Sequence, residues 1–250
     1  MLFLRAAAVS TLLLAAMPAA TQDLAATCHA TSSYDVTINP GSVLFDRPAP
    51  APVRVTIERG SLQTDGATVP LNAEGHDRMT LFERDLRALL PRVRTVAENG
   101  VDMAVKAIQA EAGGMALSAE TRAELDQKLR AHAAEIKQRI ATSRSSHDWD
   151  GDVARQYANQ MAAELLPLVA GDLGQQAIDA ALSGDLQAAA TLRDRAASVT
   201  TELQPRLLNR MQALRPQIQA LCPSIQQLVD LQQGVRSSSG APLDLIQTAR

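Results

Sequence analysis

The sequence predicts an α+β chain: a small, hairpin-rich N-terminal antiparallel β-sheet, then a predominantly α-helical bundle with proline kinks. Three observations carry that expectation. Between residues 34 and 71 apolar and polar residues alternate, as along half-buried strands. From about residue 74 the apolar residues step by three and four, the helical period. Only 2% of residues are aromatic, so the core must come from Leu, Ala, Val, Ile and Met, which suits close-packed helices better than a sandwich.

Ahead of the sheet, residues 1–20 (MLFLRAAAVSTLLLAAMPAA) place one positive charge at Arg5, an apolar run from Ala6 to Met17, and small residues at Ala19 and Ala20. That order is a secretory signal peptide, with cleavage after Ala20 or as late as Ala26. The run is too short to span a hydrocarbon core of ~30 Å, and no later stretch approaches a membrane span. The mature chain is therefore expected to be soluble and periplasmic. Lipid attachment at Cys28 is disfavoured: Thr27 precedes it, Leu24 is one position too far away, and polar Thr21, Gln22 and Asp23 intervene.

Within the expected β region, residues 28–72, YDVTI (34–38) and VRVTI (53–57) alternate, and SVLF (42–45) is a short apolar run. RPAPAP (47–52) is a connection, because proline cannot sit in a central strand. Asp65-Gly66 lies between Leu62/Thr64 and Val69/Leu71 and signals a tight hairpin, since both turn residues tolerate positive φ.

The expected helical region, 73–234, opens with the stripe Met79, Phe82, Leu86, Leu89, Val93 and Val96. Pro91 predicts a kink or break near Leu89, Asn99-Gly100 a stop, and Val101–Ile108 a short second helix ending at Gly113-Gly114. Ser118 is the natural N-cap of a third helix with the stripe Leu125, Leu129, His132, Ile136 and Ile140. A fourth carries Val153, Tyr157, Met161, Leu165 and Leu168, with an interruption at Gly171-Asp172 and a short helix to Leu182. From Asp185 a long stripe runs Leu186, Ala189, Leu192, Ala196 and onward to Leu221, which Pro205, Pro216 and Pro223 should kink or divide. LLPRV (89–93) and LLPLV (165–169) read as two helix ends using proline alike. Residues 235–250, containing RSSSGAP, read as a loose polar tail.

Chemistry is sparse. Two cysteines, Cys28 and Cys222, in an oxidising compartment read as one disulfide, with free buried thiols as the alternative. Their separation, 222 − 28 = 194 residues, gives at most roughly 5 kcal/mol by the loop-entropy argument. HDWDGD (147–152) resembles the opening of a calcium loop, but Val153 replaces the required glycine and Asn159 the closing glutamate. A polar loop with Asp152 as N-cap fits better, with Trp149 as an anchor. His76-Asp77 has no nucleophile to serve, and Asp77 is expected to cap its helix; His132 on an apolar stripe is expected to be packed. No catalytic, cofactor-binding or metal-ligating residue is assigned. A net charge of −3 and scarce aromatics argue against a nucleic-acid partner.

The order CHATSSYDVTI, SVLF, VTIERGSLQTDGATVPL, then RMTLFERDLRALLPRVRTVAENGVDMAVKAI resembles the YggN-like family of uncharacterised bacterial envelope proteins. Its hairpin pattern falls on Gly60, Leu62, Asp65, Gly66, Val69 and Leu71, and its helix pattern on Leu86, Arg87, Leu90, Pro91 and Val93. The resemblance covers roughly residues 28–110 and implies location and architecture without a reaction. Three roles follow in order of expectation. They are a non-catalytic envelope interaction or structural protein, a periplasmic carrier or chaperone for an apolar ligand, and an enzyme with a dispersed site.

Overall fold

The computed structural model describes residues 27–149 and 151–248; the signal-peptide reading lies outside the described residues. The chain is α+β, and it divides into two compact units that do not follow the order of sheet then helices. The sheet-bearing unit is assembled, among the described residues, from three stretches: 27–97, 140–149 and 214–248. The all-helical unit takes Glu98–Arg139 and Gly151–Ala213.

In the sheet-bearing unit a five-stranded antiparallel meander runs β2 (Asp35–Ile38), β3 (Val43–Asp46), β4 (Arg54–Glu58), β5 (Ser61–Thr64) and β6 (Ala67–Thr68). The register pairs Phe45 with Val55, Val43 with Ile57 and Ile57 with Leu62, so alternate side chains share one buried face. Asp65-Gly66 makes the expected two-residue turn, with φ of 51° and 81°. Arg59-Gly60 makes a second, with φ of 48° and 79°, although arginine is not a usual turn residue there. A separate ladder joins β1 (Ala30–Thr31) to β7 (Gln247–Thr248).

Helix α1 (Ala73–Gly113) covers the buried sheet face with Met79, Phe82 and Leu89, and Phe82 lies 6.1 Å from Phe45. The expected break at Pro91 and stop at Asn99-Gly100 do not occur: α1 is continuous through both. Proline forfeits one backbone bond, but apolar contacts on either side hold the helix together. Gly100 is buried, and the change of partners occurs beside it, at Ala97/Glu98, without a change of backbone.

Ser118 caps α2 (Ala119–Thr142) as expected, accepting from Thr121 N at 3.1 Å, and all five stripe residues are buried. Ser146–Trp149 is a 3-10 turn. Helix α3 (Gly151–Leu182) then places Asp152 inside its first turn rather than at the cap, and runs through Pro167 and Gly171-Asp172. The two LLP motifs therefore lie within helices, not at helix ends. Asp185 caps α4 (Leu186–Met211), which continues through Pro205. Pro216 and Pro223 instead open α5 (Arg215–Gln219) and α6 (Cys222–Gln232), where the missing N–H costs nothing. The all-helical unit has its own core of Ala112, Leu117, Leu125, Leu129, Leu165, Val169 and Leu173.

Residues 235–248 are not a loose tail. Val235, Leu243 and Leu245 are buried in the sheet unit's core. The serines form a tight turn, with Ser237 N donating to Ala241 O and Ser238 N to Thr64 Oγ1. Polar composition concealed a core strap whose serines are bonded within the turn and to Thr64 of β5.

A Cβ on Gly60 would sit 2.1 Å from Thr80 Oγ1 and 2.8 Å from His76 O, whereas one on Gly66 would meet open space. Both have positive φ, so alanine costs each about 1–2 kcal/mol of backbone strain. Gly60→Ala adds a clash with α1 and should cost about 2 kcal/mol more than Gly66→Ala in denaturant melts. Equal losses would contradict the close approach of hairpin and helix.

Candidate functional site

The one covalent feature beyond the backbone is the bond between Cys28 and Cys222, whose Cα atoms are 5.0 Å apart. Both residues are half-buried, and neither is a free thiol. Cys222 opens α6, and Cys28 lies two residues before β1, so the bond joins the first and last stretches of the sheet-bearing unit.

Around it, α1 contributes a row of arginines that sequence reading treated only as charged flanks. Arg78 donates to the carbonyls of Asp230 and Leu231 at the end of α6, at 2.6 and 3.2 Å. Arg92 reaches Ala220 O at 2.7 Å, just beyond α5, and Ser224 Oγ at 2.6 Å. Arg87 donates to Asn39 O in the β2–β3 turn while Glu83 holds its other edge at 2.7 Å. Arg94 reaches Ser143 O. Guanidinium suits these positions because helix ends present unpaired carbonyls and the negative end of the dipole. These cations are committed to the fold.

The polar residues singled out from sequence are spent in the same way. Asp148 accepts from Ser143 Oγ at 3.0 Å and from the backbone N–H groups of Ser145 and Arg144 at 3.2 and 3.3 Å. Partial desolvation raises its carboxyl, but those bonds and His147 outweigh that and hold it below the usual range. The turn it ties covers the edge of β2: Ile38 N donates to Arg144 O and Val36 N to Ser146 Oγ. Trp149 is half-buried there. The cap expected of Asp77 is supplied by Asn72, whose Oδ1 accepts from Gly75 N at 2.8 Å; His76 and Asp77 are exposed. Among the described residues no group of three or more His, Cys, Asp or Glu is placed to hold a metal.

In the all-helical unit, Asp172 resolves the false interruption of α3. Its carboxylate accepts from Ser118 N at 2.9 Å, Thr121 Oγ1 at 3.1 Å and Gln176 Nε2 at 2.8 Å, capping α2. Burial raises its carboxyl, and those donors bring it below the ordinary value. Glu111 on α1 receives Arg206 and Arg210 of α4, both at 3.0 Å. The Arg206 bond, opposed by burial and aided by Arg210, holds Glu111 low. His132, packed as expected, places Nε2 3.1 Å from Glu164 Oε2. Burial, with Glu135 beside it, pushes the Tyr157 hydroxyl up to about 12.

Two features remain without an internal task. A shallow cleft of about 240 Å³ lies on the open face of β4 and β5, lined by Thr56, Glu58, Arg59, Ser61 and Gln63, a polar lining unsuited to an apolar cargo. At the end of the α3–α4 hairpin, Ile178, Leu182 and Leu186 are 55%, 82% and 71% exposed. Sequence reading had made Leu186 the first core residue of its stripe; the packed stripe begins instead with Leu192 and Ala196.

Asp172 stabilises the folded unit as a carboxylate. Its folded pKa lies below the unfolded value, so that contribution is complete above about pH 4 and vanishes as pH falls through the folded value. Asp172→Ala should cost about 1–2 kcal/mol at pH 7 in urea melts, with the difference shrinking toward pH 2.5. A difference unchanged across that range would contradict the charged cap.

Searches of curated proteins and of solved structures returned no match. A family profile does match, over residues 28–246, from the disulfide's first cysteine to the core strap. The chain belongs to the family described as Protein of unknown function (DUF2884).

Proposed function

We propose that this chain is an exported, YggN-like envelope protein that acts in the periplasm by binding a partner rather than by catalysis. The observation that carries this reading is the Cys28–Cys222 bond. It connects the ends of a unit built from three separated stretches, and such bonds persist in oxidising compartments. The N-terminal pattern with Arg5 and an apolar run supplies the export route, and among the described residues no helix is long and apolar enough to cross a membrane. Asp148, Asp172 and His132 are engaged in caps and clamps, which favours interaction over acid–base chemistry at those residues.

Cell fractionation with intact-mass measurement tests this. The periplasmic fraction should hold a chain shortened by a cut between Ala20 and Ala26. It should take up alkylating reagent at two cysteines only after reduction. In-cell crosslinking should then capture a partner. A cytoplasmic chain, an acylated Cys28, or native cysteines that alkylate without reductant would overturn the export reading; crosslinking that captures nothing would overturn the interaction reading.

A further inference from the structure

Between Gln156 and Leu192 the sequence contains Glu164, Asp172, Asp179 and Asp185 and no lysine, arginine or histidine. Of these, Asp179 and Asp185 lie at the hairpin end, exposed and each accepting one hydrogen bond, from Gln175 Nε2 and Ala188 N, so that end carries two carboxylates beside its apolar residues. Ile178 and Leu182 are four residues apart on one helical face, and Leu186 follows immediately after the link. No basic residue lies in the last turn of α3 to balance its terminal carbonyls, which adds to the negative character. Side by side, an isoleucine and two leucines this exposed among the described residues form an apolar strip open to a partner.

We infer that the end of the α3–α4 hairpin docks a cationic amphipathic peptide segment of another protein, taking its apolar face on Ile178, Leu182 and Leu186 and its Lys/Arg flank beside Asp179 and Asp185. Charge selects this occupant. An anionic lipid surface would be repelled by the same carboxylates. A second copy would oppose acidic rims, and three side chains fall far short of the about 20–30 residues a side of a standard interface. A short helix laid on an apolar strip needs only a few anchors at i, i+4 spacing. The inference rests on the interaction role proposed above and names its surface.

The test uses the full mature oxidised protein and a fluorescently labelled amphipathic peptide of alternating Leu and Lys blocks, with a Leu/Glu peptide of the same pattern as control. Anisotropy should show saturable binding of the Leu/Lys peptide, weakening with salt, and at least roughly tenfold weaker binding of the Leu/Glu peptide. Ile178→Ser/Leu182→Ser/Leu186→Ser should lose roughly tenfold or more in affinity with an unchanged melting curve, since these side chains are exposed. Should that variant melt early, Asp179→Asn/Asp185→Asn, which keeps an N-cap at 185, should flatten the salt dependence. Equal binding of the two peptides would overturn the inference, as would variants that bind like the wild type. So would a patch whose loss abolishes self-association in sedimentation, or binding to phosphatidylglycerol vesicles. Any of these in a chain that is still exported and crosslinks to a partner would leave the interaction role standing.

Discussion

The sheet-bearing unit depends on one constraint: three stretches far apart in sequence must be held as a single body, with the chain leaving after Ala97 and again before α3, and returning at Ile140 and at Leu214. Hydrophobic burial supplies most of the cohesion, through Phe45, Phe82 and the Leu221, Leu228, Leu243 and Leu245 set. Burial is not directional, however, and does not fix which helix end meets which. The α1 arginines do. Arg78 and Arg92 bind backbone carbonyls of the C-terminal stretch, Arg94 one of the middle stretch and Arg87 one of the β2–β3 turn, so register is set by hydrogen bonds to main chain rather than to interchangeable side chains. The disulfide closes the arrangement at its ends, where β1 and β7 offer only a two-residue ladder.

The same economy explains why motifs that suggest chemistry dissolve on inspection. An aspartate whose lone pairs are filled by three N–H or O–H groups, as at Asp148 and Asp172, is stabilised as an anion. It is correspondingly poor as a proton carrier near neutral pH. Asp148 lies in the 143–149 turn, and Asp172, within α3, reaches across to the start of α2; both satisfy backbone donors left open there. In this chain, Asp148 of the calcium-like motif and Asp172 of the expected helix break are the fasteners of a turn and a cap.

How much of this was legible depends on the range of the signal. The β-hairpin at Asp65-Gly66, the cap at Ser118 and the stripe from Leu125 to Ile140 are local patterns, and each can be read from adjacent residues. The breaks expected at Pro91, Gly100 and Gly171-Asp172 failed because local propensity of about 1–3 kcal/mol yields to tertiary contact. Asp172 was illegible as a cap because its partner Ser118 is 54 residues away. The strap at 235–248 was hidden by composition: three serines dominate its middle, while the apolar residues that bury it flank them. Division into units was hidden too, since two of its boundaries fall inside continuous helices, at Ala97 and Arg139.

The two units differ in what they leave unspent. In the sheet-bearing unit the polar ends of strands and helices are tied by Arg47, Asp65, Ser145, Ser238 and the α1 arginines, and even Tyr34 carries both a Pro52 carbonyl and the Arg47 guanidinium, 4.2 Å above its ring. The all-helical unit is internally joined near its α2 and α1 segments by Asp172, Glu111 and His132, yet at the α3–α4 end its apolar residues face water and its acidic residues lack basic partners in sequence. Within the all-helical unit, the most exposed large apolar side chains among the described residues therefore lie together at one end of one helical hairpin.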